Sequence, residues 1–428
     1  MYGLIMCVFF IVICLLGFSI SGAALAASLL YLVLNGGNIS LSVITQMMCS
    51  GINQYSMLAV PMFILAGNIM NFGGVTERIF SFCQAIIGHI PGGLGQVNVL
   101  ASVIFAGMSG SGTADAAGLG KVEIDAMKKA GYDVGFSAAV TAASACIGPI
   151  IPPSIPAVVY AVQAGISTGA LFAAGLIPGL IMGAAQMALC YYLGKKYGYF
   201  EPRANAKTVL TKLWKAIPAL FAPILIIGGS FSGLFTPTEA ASVTVLYGAI
   251  IGFFVYRELR WQDIKNIMWD TVENTAILML IMGTVTVFGW ILTREMIPQD
   301  VCSWLISLSD NPTIIMLLLV AFFLIVGCFL TPSAAILILV PIIKPLVTDL
   351  GIPPLQFAML VVYTLCVGNV TPPVGNVLYV TARVADISME RMIKSMLPWF
   401  IPLLLLCFLL VFFPGLSTWL PTILHFGS

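Results

Sequence analysis

Long apolar runs separated by short polar stretches set the rhythm of this chain. Runs at residues 55–69, 170–193, 216–234, 238–256, 271–292 and 398–414 each predict a membrane-crossing helix, since a crossing takes about 20 predominantly apolar residues. Residues 4–34 form either one long tilted span or two short ones, because Gly17 and residues 19–22 interrupt the run. That run lacks a basic leading segment, so it reads as membrane structure and not as a cleaved signal peptide. Residues 76–91, with Glu77, Arg78 and His89, and residues 293–310, around Trp304, are polar enough to lie along the interface.

Four apolar segments do not fit a plain crossing. Residues 92–106 and 113–127 are two short arms around a glycine- and serine-rich tip at 107–112, and residues 313–330 and 333–344 repeat the arrangement around Thr331 and Pro332. Each pair predicts a re-entrant hairpin. Residues 134–163 carry Cys146-Ile147-Gly148-Pro149-Ile150-Ile151-Pro152-Pro153-Ser154 in their middle, and residues 356–381 carry Cys366-Val367-Gly368-Asn369-Val370-Thr371-Pro372-Pro373-Val374. Proline removes a backbone donor and clashes with the preceding turn, so neither helix continues through its motif. A break at membrane depth must face protein or a polar cavity, because lipid offers no hydrogen bonds.

The two motifs are 220 residues apart, and the same offset pairs Gly107 with Gly327, Ala114 with Ala334, Gly131 with Gly351 and Pro178 with Pro398. The chain therefore reads as residues 1–91, N-terminal scaffold spans and an interfacial arm; 92–193, a first repeat of hairpin, broken helix and span; 194–215, a cytoplasmic connector; 216–311, further scaffold spans and an arm; and 312–428, the second repeat. With the basic connector 194–215 placed in the cytoplasm, counting crossings leaves only Arg294 and Lys344, of 18 Lys and Arg residues, on the far side. The same count opens the two hairpins to opposite faces. The expected fold is an all-α polytopic membrane protein with two inverted repeats, each holding a re-entrant helical hairpin and a broken transmembrane helix. Paired interrupted segments of this kind point to a transporter's binding site near the midplane.

Composition narrows the class. The chain is 60% hydrophobic and 8% charged, where a soluble domain carries about 25% charge. Net charge is +1 with no basic stripe, so nucleic acid is not an expected partner. The two histidines, His89 and His425, lie far apart, no intramembrane aspartates are paired, and no GxxxxGK[ST] loop is present. Those features leave no basis for a membrane enzyme or an ATP-driven pump. The ten cysteines form no CxxC pair and read as small core side chains.

Where tips and breaks meet, loose carbonyls and hydroxyls suit a hard cation such as Na⁺. The first expected Na⁺ site combines Ser109 and Ser111 with the carbonyls of Gly148, Ile151 and Pro153; the second combines Gly327, Thr331, Ser333, Gly368, Thr371 and Pro373. Each hydroxyl, taken alone, equally suits a helix cap. Asp115, four residues past the first tip, is either a functional intramembrane carboxylate or a partner for free amides of the second arm. Arg294 either attracts an anion or snorkels to the interface. Ser154 and Asn376, just past the breaks, are placed to hydrogen-bond a substrate, and helix N-termini there favour a carboxylate.

The stretches Gly107-Met108-Ser109-Gly110-Ser111 with Ala114-Asp115, Pro149-Ile150-Ile151-Pro152-Pro153-Ser154, residues 233–241 and Thr371-Pro372-Pro373-Val374-Gly375 resemble the large permease (M) subunit of the tripartite ATP-independent periplasmic (TRAP) transporters, over nearly the whole chain. The resemblance implies a Na⁺-driven, elevator-type importer of a small carboxylate, of the sialic acid or C4-dicarboxylate type, in the bacterial inner membrane. It also implies a periplasmic substrate-binding protein and, because the sequence opens at the first span, a small four-helix membrane subunit as a separate chain. The alternative is a stand-alone Na⁺-coupled carboxylate carrier.

Overall fold

The computed structural model describes residues 2–36, 39–309 and 311–426. Residues 37 and 38 and Asp310, which fall in the two polar outer stretches expected from the sequence, lie outside them. Among the described residues every regular element is helical, and eight helices are long and apolar enough to cross a membrane, from Tyr55–Phe72 to Met389–Phe412. The chain is a multi-pass, all-α membrane protein.

The N-terminal run resolves into two helices, Tyr2–Leu15 and Ile20–Leu34, which turn at Gly17 with φ 88° and pack on each other. Helices of 14 and 15 residues reach only about 22 Å of a hydrocarbon layer about 30 Å thick. Both helices tie to the end of a 34-residue helix, Trp261–Arg294: Glu295 accepts from Tyr31 Oη at 2.7 Å and from the Gly3 amide at 3.1 Å. The polar connector is shorter than its composition suggests. Thr168–Tyr197 and Ala206–Phe231 extend into it from both sides, because lysine is a good helix former and its stem can run along the helix to water. At residues 236–239 the sequence specifies a helix start, and the capping box forms. Thr236 Oγ1 accepts from the Glu239 amide at 3.3 Å while Glu239 Oε2 accepts from the Thr236 amide at 2.8 Å.

Both hairpins are present. The first rises through Leu94–Ser109, turns at Gly110 with φ 64°, and returns as Gly112–Ala117 and Leu119–Lys129. The sequence predicts one continuous second arm there, whereas the arm kinks at Gly118, where a Cβ would meet the Asn71 amide group at 3.0 Å. The second hairpin is Pro312–Phe329 with Pro332–Asp349. The first broken helix stops where its motif begins, and the second runs on through the first three residues of its motif to Gly368. Val134–Ala145 resumes as Ile155–Ala164, and Pro354–Gly368 resumes as Asn376–Ala385, with cis peptides at Pro152–Pro153 and Pro372–Pro373.

Side-chain amides lock each broken helix to its neighbours. Asn98 donates to Thr141 Oγ1 and accepts from Ser144 Oγ, both at 2.7 Å, and Gln186 donates to the Ala143 carbonyl at 2.9 Å. In the second half Gln356 donates to the carbonyls of Leu410 and Val411 at 2.9 and 3.0 Å, and Tyr363 to that of Leu403 at 2.8 Å. Interhelical bonds of this kind contribute about 0.6 kcal/mol each inside a membrane, so they fix register more than they supply stability. The two breaks touch one another: Cys146 Sγ lies 3.5 Å from the Cys366 carbonyl, the two positions being 220 residues apart.

Candidate transport site

Each hairpin tip is bonded to the break of its own half. The Ile155 amide donates to the Gly110 carbonyl at 3.2 Å, and the Gly375 amide donates to the Cys328 carbonyl at 2.9 Å. Glycine is required at these contacts. A Cβ on Gly110 would lie 2.6 Å from the Pro153 carbonyl oxygen, and one on Gly368 would lie 2.6 Å from Gly327 Cα. Both tips and both breaks border one cavity of about 420 Å³, closed on its far side by the helix Ala59–Phe72 and by Trp261–Arg294.

In the first half, Ser109 Oγ donates to Asp115 Oδ1, and the Ser111 amide donates back to Ser109 Oγ at 3.3 Å. Ser111 Oγ caps the short second arm through the Ala114 amide at 3.4 Å and lies 3.1 Å from Thr113 Oγ1. Asp115 is 2% exposed and its Oδ2 has no hydrogen-bond partner among the described residues; it lies against Gly148, where any Cβ would collide with it. The carbonyls of Gly148, Ile151 and Pro153 also take no hydrogen bond from the described residues. Buried polar groups without partners are rare and call for an explanation. Asp115 Oδ2 against Gly148 and the Pro153 carbonyl against Gly110 are oxygens of the hard kind that Na⁺ takes. Glu123, on the same hairpin, is 1% exposed, and its Oε1 is likewise unpartnered among the described residues.

In the second half, Thr331, Ser333 and Asn369 border the cavity. Thr331 stands at the N-cap of Pro332–Asp349 without a side-chain cap bond, which leaves that helix start open toward the cavity. Asn369 is 5% exposed with Oδ1 unpartnered among the described residues. The carbonyls of Asn369 and Thr371 both approach Gly375, at 3.1 and 3.0 Å from a Cβ placed there. Gly368's carbonyl accepts from the Thr371 amide at 2.8 Å, and Thr371 Oγ1 donates to Val367 at 2.8 Å. Gly327 serves the close approach to Gly368, and Pro373 is exposed.

The residues expected to touch substrate fare differently. Asp115 lies behind the tip and does not border the cavity. Ser154 Oγ is committed to the backbone, donating to the Pro149 carbonyl and accepting from the Ala157 amide at 3.1 Å. Arg294 stacks over Trp290, 5.6 Å from the ring centre, and Asn376 opens its helix half-buried; neither borders the cavity. The polar residues that do face it, and that the sequence reading missed, are Thr113 and Asn369 on the tip side and Asn68, Asp270 and Asn274 on the two closing helices. Asp270, Glu273 and Asn274 lie where the polar first third of the long helix passes into its apolar stretch, which is the signal that would have revealed them.

A polytopic helical bundle in which two hairpin tips and two broken helices border one cavity has the architecture of a membrane transporter. The family model for the tripartite ATP-independent periplasmic transporter, DctM component, matches residues 7–416, and the chain belongs to that family. It is 42% identical to the sialic acid TRAP transporter large permease protein SiaM of Vibrio cholerae, covering 95% of this chain and 94% of that protein. It is 36% identical to the C4-dicarboxylate TRAP transporter large permease protein DctM of Pseudomonas aeruginosa, covering 86% of each. The sialic acid TRAP transporter permease protein SiaT of Haemophilus influenzae is 37% identical over 97% of this chain and 67% of its own length. Among solved structures, the YdaH transporter of Alcanivorax borkumensis superposes with a TM-score of 0.64 at 16% identity, covering 91% of this chain and 90% of that one. At that identity the likeness shows the fold alone.

Proposed function

We propose that this chain is the membrane-spanning carrier of a Na⁺-coupled importer of a small carboxylate, of the sialic acid or C4-dicarboxylate type, and that it works by elevator-type alternating access in the bacterial inner membrane. The substrate is received from a periplasmic substrate-binding protein, and a small four-helix membrane subunit completes the complex. The observation that carries the reading is the meeting of both tips and both breaks at one cavity, with an orphaned carboxylate and free carbonyls behind it. Ser109, Ser111, Asp115 and the carbonyls of Gly148, Ile151 and Pro153 would hold one Na⁺. Thr371 with the carbonyls around Gly375 would hold a second, with Gly327, Gly368 and Pro373 shaping its walls. A bound cation lends positive charge to a site that must accept an anion.

The substrate carboxylate is placed at the open start of Pro332–Asp349, where first-turn amides and the hydroxyls of Thr331 and Ser333 supply donors and the helix dipole favours negative charge. The two halves move as a body against the helices that close the cavity. The test is uptake of labelled carboxylates into proteoliposomes holding the complex. Uptake that needs both an inward Na⁺ gradient and the binding protein supports the reading. Uptake by this chain without the binding protein would favour a stand-alone carrier, and uptake indifferent to Na⁺ would refute the coupling.

A further inference from the structure

The wall of the cavity opposite the tips presents hydrogen-bond acceptors. Asn274 gives one of its two amide N–H groups to the Asp270 carbonyl at 2.7 Å, and its oxygen takes no hydrogen bond among the described residues. Asn68 gives one of its two amide N–H groups to Thr271 Oγ1 at 3.2 Å, and the acceptor role of that hydroxyl is fixed because it donates to the Ile267 carbonyl at 2.7 Å. Asp270 contributes a carboxylate, and it is the single ionisable side chain among the described residues that border the cavity; none of them is basic. The tip wall presents the hydroxyls of Ser111, Thr331 and Ser333, the open first turn of Pro332–Asp349 and, from the second break, Asn369.

From this polarity we infer that the permease selects a monocarboxylate whose far end carries hydroxyl or N–H donors, as a sugar acid does, and that Asp270 with Asn274 and Asn68 excludes dicarboxylates. The inference rests on the carboxylate-carrier reading and deepens it. One end of such a substrate meets donors with its carboxylate, and the other meets acceptors with its donors. A C4-dicarboxylate has only acceptors at both ends. Its second carboxylate would face Asp270, and like charges about 6 Å apart weaken binding about threefold at the dielectric of water and more at the lower dielectric near a protein surface. The unpaired acceptors left behind would add to that penalty, because a polar group that loses water without gaining a donor is destabilised.

The experiment uses the permease with its small membrane subunit in nanodiscs, without the binding protein, so that the permease's own selectivity is read. Thermal stabilisation is titrated with sialic acid and with succinate, with and without Na⁺. The expected result is Na⁺-dependent stabilisation by sialic acid, with succinate requiring at least a tenfold higher concentration. Asp270→Asn narrows the gap from both sides, and Asp270→Glu restores it. Should Asp270→Asn fail to fold, Asn274→Asp places a second negative charge on the same wall and widens the gap. Wild-type protein that binds succinate as tightly as sialic acid overturns the inference while leaving the carrier reading intact, as does an unchanged ratio in Asp270→Asn. If neither compound binds in Na⁺, or binding ignores Na⁺, the carrier reading fails and this inference falls with it.

Discussion

Replacing Ser109 with alanine removes the hydroxyl that donates to Asp115 Oδ1. Asp115 is 2% exposed, and its other oxygen already lacks a partner among the described residues. The variant therefore leaves a buried carboxylate with no hydrogen bond at all. A hydrogen bond to a charged group contributes about 1.5–3 kcal/mol, which corresponds to between about 10-fold and about 150-fold in an equilibrium constant. Ser111→Ala is the internal comparison. Its hydroxyl caps a single turn through a 3.4 Å bond, and losing such a cap costs about 1 kcal/mol. If Ser109 positions Asp115 for a cation, its loss raises the Na⁺ concentration needed for half-maximal uptake by about tenfold or more, measured per folded protein. In the double variant with Asp115→Asn the effect of removing Ser109 falls to that of a neutral hydrogen bond, about 1 kcal/mol. A Ser109→Ala protein whose Na⁺ dependence and melting temperature both match the wild type would refute the reasoning. A lowered melting temperature with an unshifted Na⁺ curve would leave Ser109 as a structural partner only.

Other outcomes follow from single contacts. Gly148→Ala forces a Cβ into Asp115 Oδ2, and overpacking of this kind costs about 1–3 kcal/mol; transport should fall more steeply than the yield of folded protein. Thr236→Ala breaks the capping box and should lower stability by about 1 kcal/mol with Na⁺ dependence unchanged, read by thermal unfolding against wild type. Tyr132, in the turn after the first hairpin, accepts from the Leu94 amide at 3.1 Å, and burial pushes its phenol up to about 12. Its folded value lies above the unfolded value of about 10, so its stabilising share is present below pH about 10 and is lost as pH rises toward about 12; Tyr132→Phe should remove that component from a pH–stability profile. Cysteines placed between Lys196 and Lys212 should label from the cytoplasmic face and those between residues 39 and 54 from the other, and labelling of both from one face would contradict the inverted arrangement.

Much of this architecture was legible because proline and glycine act locally. The doubled Gly-x-x-x-Pro-Pro pattern stops a helix whatever surrounds it, so both breaks and both tips could be read off directly. The capping box at Thr236 and Glu239 was legible for the same reason. What escaped was set by where individual side chains settle in the folded bundle. The break at Gly118 lies where a Cβ would meet the Asn71 amide group, a contact with a segment 47 residues back in the chain. Ser154 was given to the substrate, but the end of the break turns its hydroxyl onto the Pro149 carbonyl. Arg294 sits at a helix end with its charge over Trp290 one turn back, a pairing that the i,i+4 spacing permits but does not dictate. Asn68 and Asp270 lie 202 residues apart, and only the folded bundle shows that both face the tips.

The central claim, that one cavity between tips and breaks is the transport site, is tested most directly by a single reporter on its wall. With Cys7, Cys14 and Cys49, the three cysteines that are not buried, replaced, Ser333→Cys places a thiol beside the open start of Pro332–Asp349. The account predicts that a membrane-impermeant reagent modifies this thiol from either side of the membrane as the carrier cycles. Na⁺ together with substrate should then slow modification several-fold. Reactivity from one face only, unaffected by Na⁺ or substrate, would contradict it.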